Sequence, residues 1–186
     1  MKPYAIKIAL RGVSPMIWRR VQLPGSISLA SLHYVIQSLF GWHDDHLHQF
    51  HIYGKDYGIY YDGGVTFSDN PREVYVDKFE FDSGDKFTYE YNFTKRRIHD
   101  IRIEKVHEIE STVPVRCLSG AGMPGKTKYD EYDISAKFVK VLSKISEATP
   151  ADHQPILERL SKLLEKLDRV KFNRKKSNLC LAEIGV

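Results

Sequence analysis

Apolar and polar residues alternate along several stretches of the first half of the chain, which is the pattern of strands with one buried face. Residues 4–11 alternate in this way, and residues 17–23 repeat the pattern after a Gly-Val-Ser-Pro turn, so the two stretches predict a hairpin. The cleanest alternation covers residues 87–93, where aromatic side chains occupy every second position. Further stretches that read as strands are residues 46–53, 73–81 and 99–104.

Helical spacing replaces this alternation at three places. Residues 29–40 carry apolar side chains three and four positions apart, and they lie between Ser28, a suitable N-cap, and Gly41, a suitable C-terminal stop. Near the C-terminus, one predicted helix is capped by Asp133 and a last one by Asp152. The chain is therefore rich in strands first and helical afterwards.

This order of elements indicates an α+β fold. We expect a mostly antiparallel sheet, with a helix after the first hairpin and two C-terminal helices packed on the sheet. A chain of 186 residues has the length of one domain, so residues 1–186 are expected to form a single domain. Its parts are a strand-rich part with one helix over residues 1–110, a helical part over residues 130–170 and a basic tail over residues 171–186.

Composition limits the classes of protein that fit the chain. Apolar residues make up 42% of it, and no apolar run approaches the ~20 residues that a membrane span needs. The N-terminal residues alternate instead of forming the apolar core of a signal peptide, and the two cysteines, Cys117 and Cys180, lie far apart. We therefore expect a cytoplasmic protein without a membrane partner. The net charge of +4 permits contact with a polyanion but does not require it.

The sharpest candidate for chemistry is the sequence His46-Leu47-His48. Residues two apart on a strand face the same way and lie roughly 6.5 Å apart, so two such imidazoles can hold one divalent metal ion, zinc or manganese. The other candidate ligands are His33, Asp44, Asp45 and His99. A site with one position left open to water would support metal-assisted hydrolysis.

A structural interpretation of the same histidines needs no metal. His46 and His48 would then pack beside Phe50, with their ring nitrogens bonded to backbone groups. His99 points the same way as the apolar residues of its predicted strand, which is the position of a core histidine with satisfied hydrogen bonds.

Two basic clusters are candidates for phosphate binding. The first consists of Lys95, Arg96 and Arg97 in a predicted hairpin turn, and the second of Arg174, Lys175 and Lys176 in the tail. Together they would form a patch for the backbone of a nucleic acid. Adjacent charges in a turn are also often only solvated.

Two blocks of sequence carry a family resemblance. The first block runs Pro15-Met16-Ile17-Trp18-Arg19-Arg20, then Leu32-His33, Phe40-Gly41-Trp42 and His46-Leu47-His48-Gln49-Phe50. The second block runs Tyr89-Glu90-Tyr91-Asn92-Phe93 and then Ile98-His99-Asp100-Ile101. In their order and spacing they resemble the plasmid pRiA4b ORF-3-like family over about residues 4–106. The resemblance implies a protein carried by plasmids and found beside insertion sequences.

The chain departs from that family pattern at two places. Residues 92–95, followed by Arg97, stand where the resemblance implies Asp-Phe-Gly-Asp and a tryptophan. Residues 122–125 stand where it implies an acidic Pro-Pro-Glu-Asp loop. Any chemistry of relatives that uses those acidic positions is therefore not expected in this chain.

The sequence contains no complete set of catalytic residues. It has no glycine-rich phosphate loop and no Gly-x-Ser-x-Gly elbow, and Cys117 has no evident partner for nucleophilic chemistry. We therefore expect a non-enzymatic binding module, accessory to a mobile element, whose partner is a nucleic acid or a mobile-element protein. The alternative is a metal-dependent hydrolase with its site at His46 and His48.

Overall fold

The computed structural model describes residues 2–58, 67–107, 113–122 and 172–184. Contacts group residues 1–122 with residues 173–186 as one compact unit. The helices predicted from Asp133 and Asp152, and with them most of the helical part over residues 130–170, lie outside the described residues. The single domain over residues 1–186 therefore stays a prediction.

The described residues contain a seven-stranded sheet with the strand order β4-β3-β5-β6-β1-β2-β7. Every neighbouring pair in it is antiparallel. The strands are β1 (Pro3–Leu10), β2 (Trp18–Pro24), β3 (His48–Ile52), β4 (Lys55–Gly58), β5 (Lys86–Tyr91), β6 (Arg97–Val106) and β7 (Arg116–Ala121). The antiparallel sheet and the mixed α+β fold confirm the predicted class.

Helix α1 spans Leu29–Phe40, between the N-cap Ser28 and Gly41. The Ser28 hydroxyl accepts a hydrogen bond from the Ser31 backbone N–H at 3.1 Å, which satisfies one of the donors that a helix N-terminus leaves free. Gly41 has a φ of 66°, a left-handed conformation that glycine adopts without steric cost and that ends the helix. The apolar positions of the helix are buried, so α1 lies with one face against the sheet.

A buried cation fixes the end of α1 to the sheet. The guanidinium of Arg19, on β2, is buried and donates to the backbone carbonyls of Leu39, Trp18 and Ala121 at 3.1, 2.8 and 2.9 Å. Burial lowers the pKa of Arg19 to about 10, so the group keeps its charge at neutral pH. A cation near the last carbonyls of a helix is also favoured by the helix dipole.

The prediction of a strand over residues 73–81 is wrong. Tyr75 alone forms a strand-type bridge, to Ser28, and the chain then enters a short 3-10 helix, Val76–Phe79. Glu80 follows in a left-handed conformation with a φ of 49°, which prevents the extended backbone that a strand requires.

Helix α2 spans Arg174–Glu183, so part of the predicted basic tail is helical. The amide of Asn178 accepts a hydrogen bond from the Cys117 backbone N–H at 2.8 Å and donates to the Cys117 carbonyl at 3.1 Å. In the described sheet β7 is an edge strand, with β2 on one side only. The two bonds from Asn178 satisfy backbone groups on its other side. Among the described residues, no helix is long and apolar enough to cross a membrane.

We expect the substitution Asn178→Ala to lower the free energy of unfolding by about 1 to 3 kcal/mol, because it leaves two backbone groups of Cys117 without partners. Urea denaturation followed by far-ultraviolet circular dichroism measures the change. The control is Leu179→Ala on the same helix, where the side chain is 67% exposed and the change should stay within about 0.5 kcal/mol. Equal effects of the two substitutions would contradict this role of Asn178.

Candidate metal centre

His33 lies on the buried face of α1, and both of its ring nitrogens have partners. Its Nδ1 is 2.8 Å from the Tyr89 hydroxyl on β5, and its Nε2 is 2.8 Å from a carboxylate oxygen of Asp44. Asp44 follows α1 in a loop and has a left-handed backbone conformation, with a φ of 52°. Three separate parts of the chain therefore meet at one imidazole.

Gln37, one helical turn after His33, completes a closed cycle of hydrogen bonds. Its amide nitrogen donates to the Tyr89 hydroxyl at 2.8 Å, and its amide oxygen accepts from the Asp44 backbone N–H at 2.9 Å. Because Nε2 of His33 faces a carboxylate, the proton of the neutral ring belongs on Nε2. Nδ1 then accepts from Tyr89, and each donor in the cycle meets one acceptor.

His48 is the first residue of β3 and has a different environment. Its ring stacks on the ring of His33, with centroids 3.6 Å apart and planes 14° apart. Both ring nitrogens of His48 are buried, and neither has a hydrogen-bond partner among the residues that the structure describes. A buried polar side chain in this state is uncommon in a native fold and calls for a physical explanation.

Both imidazoles are neutral at physiological pH. Burial lowers the pKa of His33 to about 4, and burial together with the nearby His33 lowers the pKa of His48 to about 3. Burial also raises the pKa of the Asp44 carboxyl above its usual value, against the opposing effect of His48. The two rings thus offer lone pairs, which is the form of histidine that binds metals.

One ligand atom from each of His33, Asp44 and His48 lies within 4.8 Å of the other two. Two imidazoles and one carboxylate form a donor set found in zinc sites with three protein ligands. The lone pairs of two stacked rings run parallel, so coordination would require the His48 ring to turn out of the stack. His33 would carry its proton on Nδ1, where the Tyr89 oxygen is placed to accept it.

The structure places the other predicted metal ligands outside this group. His46 precedes β3 and is exposed, so the two-residue spacing does not put it beside His48. Its Nε2 lies 3.7 Å from Asp45, whose carboxylate accepts from the hydroxyl of Tyr91. His99 is buried, with Nδ1 donating to the Arg97 carbonyl at 3.1 Å and Nε2 accepting from the Trp42 indole at 3.3 Å.

Tyr89 and Gln37 were not predicted from the sequence. Asp44 was named as a candidate ligand, but the preferred set of ligands contained Asp45 in its place. A signal for Gln37 was present, because His33 and Gln37 are four residues apart and share one face of a helix. The contact of that face with Tyr89 depends on how the helix lies on the sheet, and no spacing in the sequence encodes it.

The two basic clusters lie on different parts of the sheet. Lys95 and Arg96 are exposed in the turn before β6, and Arg97 begins that strand. Arg96 pairs with Glu90 at 3.4 Å. Residues 174–176 form the first turn of α2, beside the edge strand β7, whereas β5 and β6 are central strands of the sheet.

Comparisons with known proteins agree with the sequence resemblance. The family model described as "Plasmid pRiA4b ORF-3-like protein" matches residues 2–176. An uncharacterised protein, y4hQ, of Sinorhizobium fredii is 31% identical over 121 residues, which are 63% of this chain and 61% of that protein. The chain thus matches less than two thirds of the length of this relative.

A solved structure shows a similar fold. It is the crystal structure of a protein of unknown function, MM3350, from Methanosarcina mazei Go1. The TM-score is 0.63 at 21% sequence identity, and the match covers 94% of this chain and 96% of that one. The likeness concerns the fold alone.

We expect Tyr89→Phe to lower the free energy of unfolding by about 1 to 3 kcal/mol, because it leaves buried polar atoms of His33 and Gln37 without partners. The matched control is Tyr53→Phe, which removes a hydroxyl at a position that is 63% exposed and should cost less than about 0.5 kcal/mol. Chemical denaturation in the presence of EDTA measures both. Similar costs for the two variants would argue against the cycle of hydrogen bonds.

Proposed function

The chain belongs to the plasmid pRiA4b ORF-3-like protein family, and we propose that it binds a divalent transition-metal ion through His33, Asp44 and His48. The observation that carries the proposal is the buried ring of His48, whose two nitrogens have no partner although a second imidazole and a carboxylate are within reach. Zinc fits this donor set best, because imidazole nitrogen and carboxylate oxygen are its usual ligands beside thiolate.

The energetic argument concerns the cost of the unpartnered ring. A buried polar group without a hydrogen bond costs about 1 to 3 kcal/mol, and a leucine at this position would avoid that cost. Binding of a metal ion by one of the His48 nitrogens would offset the penalty, since coordination replaces the missing partner. The cycle around His33 holds the second imidazole and Asp44 in place before any ion arrives.

Metal-assisted hydrolysis is the second candidate function. The side chain of Asp44 is 36% exposed, so an ion held there would be in contact with water on the side of the loop. Three protein ligands leave a further coordination position for a water molecule, and the ion lowers the pKa of that water. In that case His33, Asp44 and His48 would hold the ion, and the ion would supply the activated water for a hydrolysis.

The expected binding module for a nucleic acid or a mobile-element protein has weaker support. Arg96 forms an ion pair with Glu90, and the guanidinium of Arg97 stacks on Trp42 at 4.0 Å from the ring centroid. These contacts within the fold account for both arginines without an external ligand, so the basic turn by itself is weaker evidence than the unpartnered ring of His48, and the metal centre is the better-supported proposal.

Calorimetric titration of protein purified without a metal-affinity tag and dialysed against EDTA tests metal binding. We expect about one equivalent of zinc to bind and to raise the melting temperature, because an ion that binds the folded state alone stabilises it. Manganese should bind more weakly, since it prefers oxygen ligands.

The variant His48→Leu should lose both the binding of zinc and the rise in melting temperature, whereas His43→Gln, at an exposed position, should keep them. Zinc binding that survives His48→Leu unchanged would refute the proposed site.

The same leucine variant makes a separate prediction for the metal-free protein. In EDTA, His48→Leu should raise the free energy of unfolding by about 1 to 2 kcal/mol, because it removes two unpartnered nitrogens at similar side-chain volume. His33→Leu should lower it, because Asp44 and Tyr89 lose a shared partner. Urea denaturation measures both variants. A loss of stability in His48→Leu as large as that in His33→Leu would show that His48 has a structural role instead.

A further inference from the structure

The basic turn between β5 and β6 lies beside the loop that carries Asp44. The Asn92 backbone N–H, at the end of β5, donates to the Leu47 carbonyl at 2.9 Å. Tyr91, the residue before it, donates its hydroxyl to Asp45 and accepts from the Asp45 backbone N–H. The turn and the loop are therefore joined directly, next to the candidate metal centre.

Arg97 is held at this junction by aromatic stacking. Its guanidinium carbon lies 4.0 Å from the centroid of the Trp42 ring. Trp42 is itself fixed, because its indole N–H donates to His99 and its backbone N–H donates to the Gln37 carbonyl at 2.9 Å. An arginine whose plane is set by an aromatic ring has less freedom to lose when it binds a planar or tetrahedral oxyanion.

Tyr91 lies beside charges of both signs, because its hydroxyl donates to Asp45 and its register partner on β6 is Arg97. Burial raises the pKa of Tyr91 to about 12, the side-chain hydrogen bond to Asp45 raises it further, and Arg97 lowers it. A carboxylate and an arginine thus flank the same phenol. Lys95 and Arg96 add two more cations in the exposed turn, of which Arg96 also pairs with Glu90.

We infer that the Lys95–Arg97 turn binds the phosphate group of a phosphate ester, whose other oxygens face the ion bound at His33, Asp44 and His48. This inference rests on the proposed metal binding. A phosphate group presents several oxygens in different directions, so it can contact an arginine and a metal ion at the same time. The pairing of a metal ion with fixed arginine and lysine groups is also the arrangement that stabilises charge on a phosphoryl group.

The number of cations favours a phosphate over a carboxylate ligand. The turn contributes three cations from consecutive residues, and an ion bound at His33, Asp44 and His48 would add two positive charges. A phosphate ester carries one or two negative charges spread over its free oxygens, which matches several cations better than a single carboxylate does.

The experiment uses the full chain loaded with zinc and titrated with p-nitrophenyl phosphate, a monoester, and bis(p-nitrophenyl) phosphate, a diester. We expect at least one ester to bind, and its affinity to fall about tenfold in Arg97→Gln, since one charged hydrogen bond accounts for a change of that size. The double variant Lys95→Ala with Arg96→Ala should also weaken binding and leaves the Trp42 stack in place. Arg174→Gln, on α2, is the matched control and should bind like the wild type.

Zinc stoichiometry, measured first on every variant, separates the two proposals. If zinc does not bind the wild type, metal binding at His48 is refuted. If zinc binds each variant at one equivalent but neither ester binds, or both basic-turn variants bind as tightly as Arg174→Gln, the phosphate inference is overturned. Preference for the monoester would indicate a small phosphorylated ligand, and preference for the diester would indicate a nucleic-acid backbone.

Discussion

The cycle of hydrogen bonds around His33 is the interaction on which the site depends. It joins α1, through His33 and Gln37, to Tyr89 on the sheet and to Asp44 in the following loop. Each polar atom that it buries has a partner, so the cycle removes a penalty of several unsatisfied groups and sets the position of the helix on the sheet. With the cycle complete, the ring of His48 stacks on His33, and among the described residues no group forms a hydrogen bond with its buried nitrogens.

Most of the strands and helix α1 were predictable because their signals are local. The alternation of residues 4–11 and 87–93 specifies which face of each strand is buried, and Ser28 and Gly41 mark the ends of α1 through their own backbone preferences. Residues 73–81 are an exception, because they were predicted as a strand. They form a turn and a 3-10 helix instead, and apolar residues of this segment are buried from that conformation.

The site was predictable only in part because its geometry is not local. His48 and His33 were both named from sequence, but the strand begins at His48, so His46 falls in the exposed loop. The partner of His48 comes from α1, and the carboxylate within reach is Asp44. Which of two adjacent aspartates faces the helix is decided by the backbone turn after α1, and that turn depends on the completed packing of the helix against Tyr89.

The left-handed backbone at Asp44 limits which residues evolution or design can place there. Aspartate and asparagine adopt this conformation more readily than most side chains, and histidine is also enriched in it, whereas glutamate is not. Glutamate, whose side chain is one methylene longer, would therefore be disfavoured by the backbone conformation alone, whatever its distance to a bound ion. Few residue types are therefore suited to position 44, and of the two that carry a carboxylate, aspartate is favoured over glutamate.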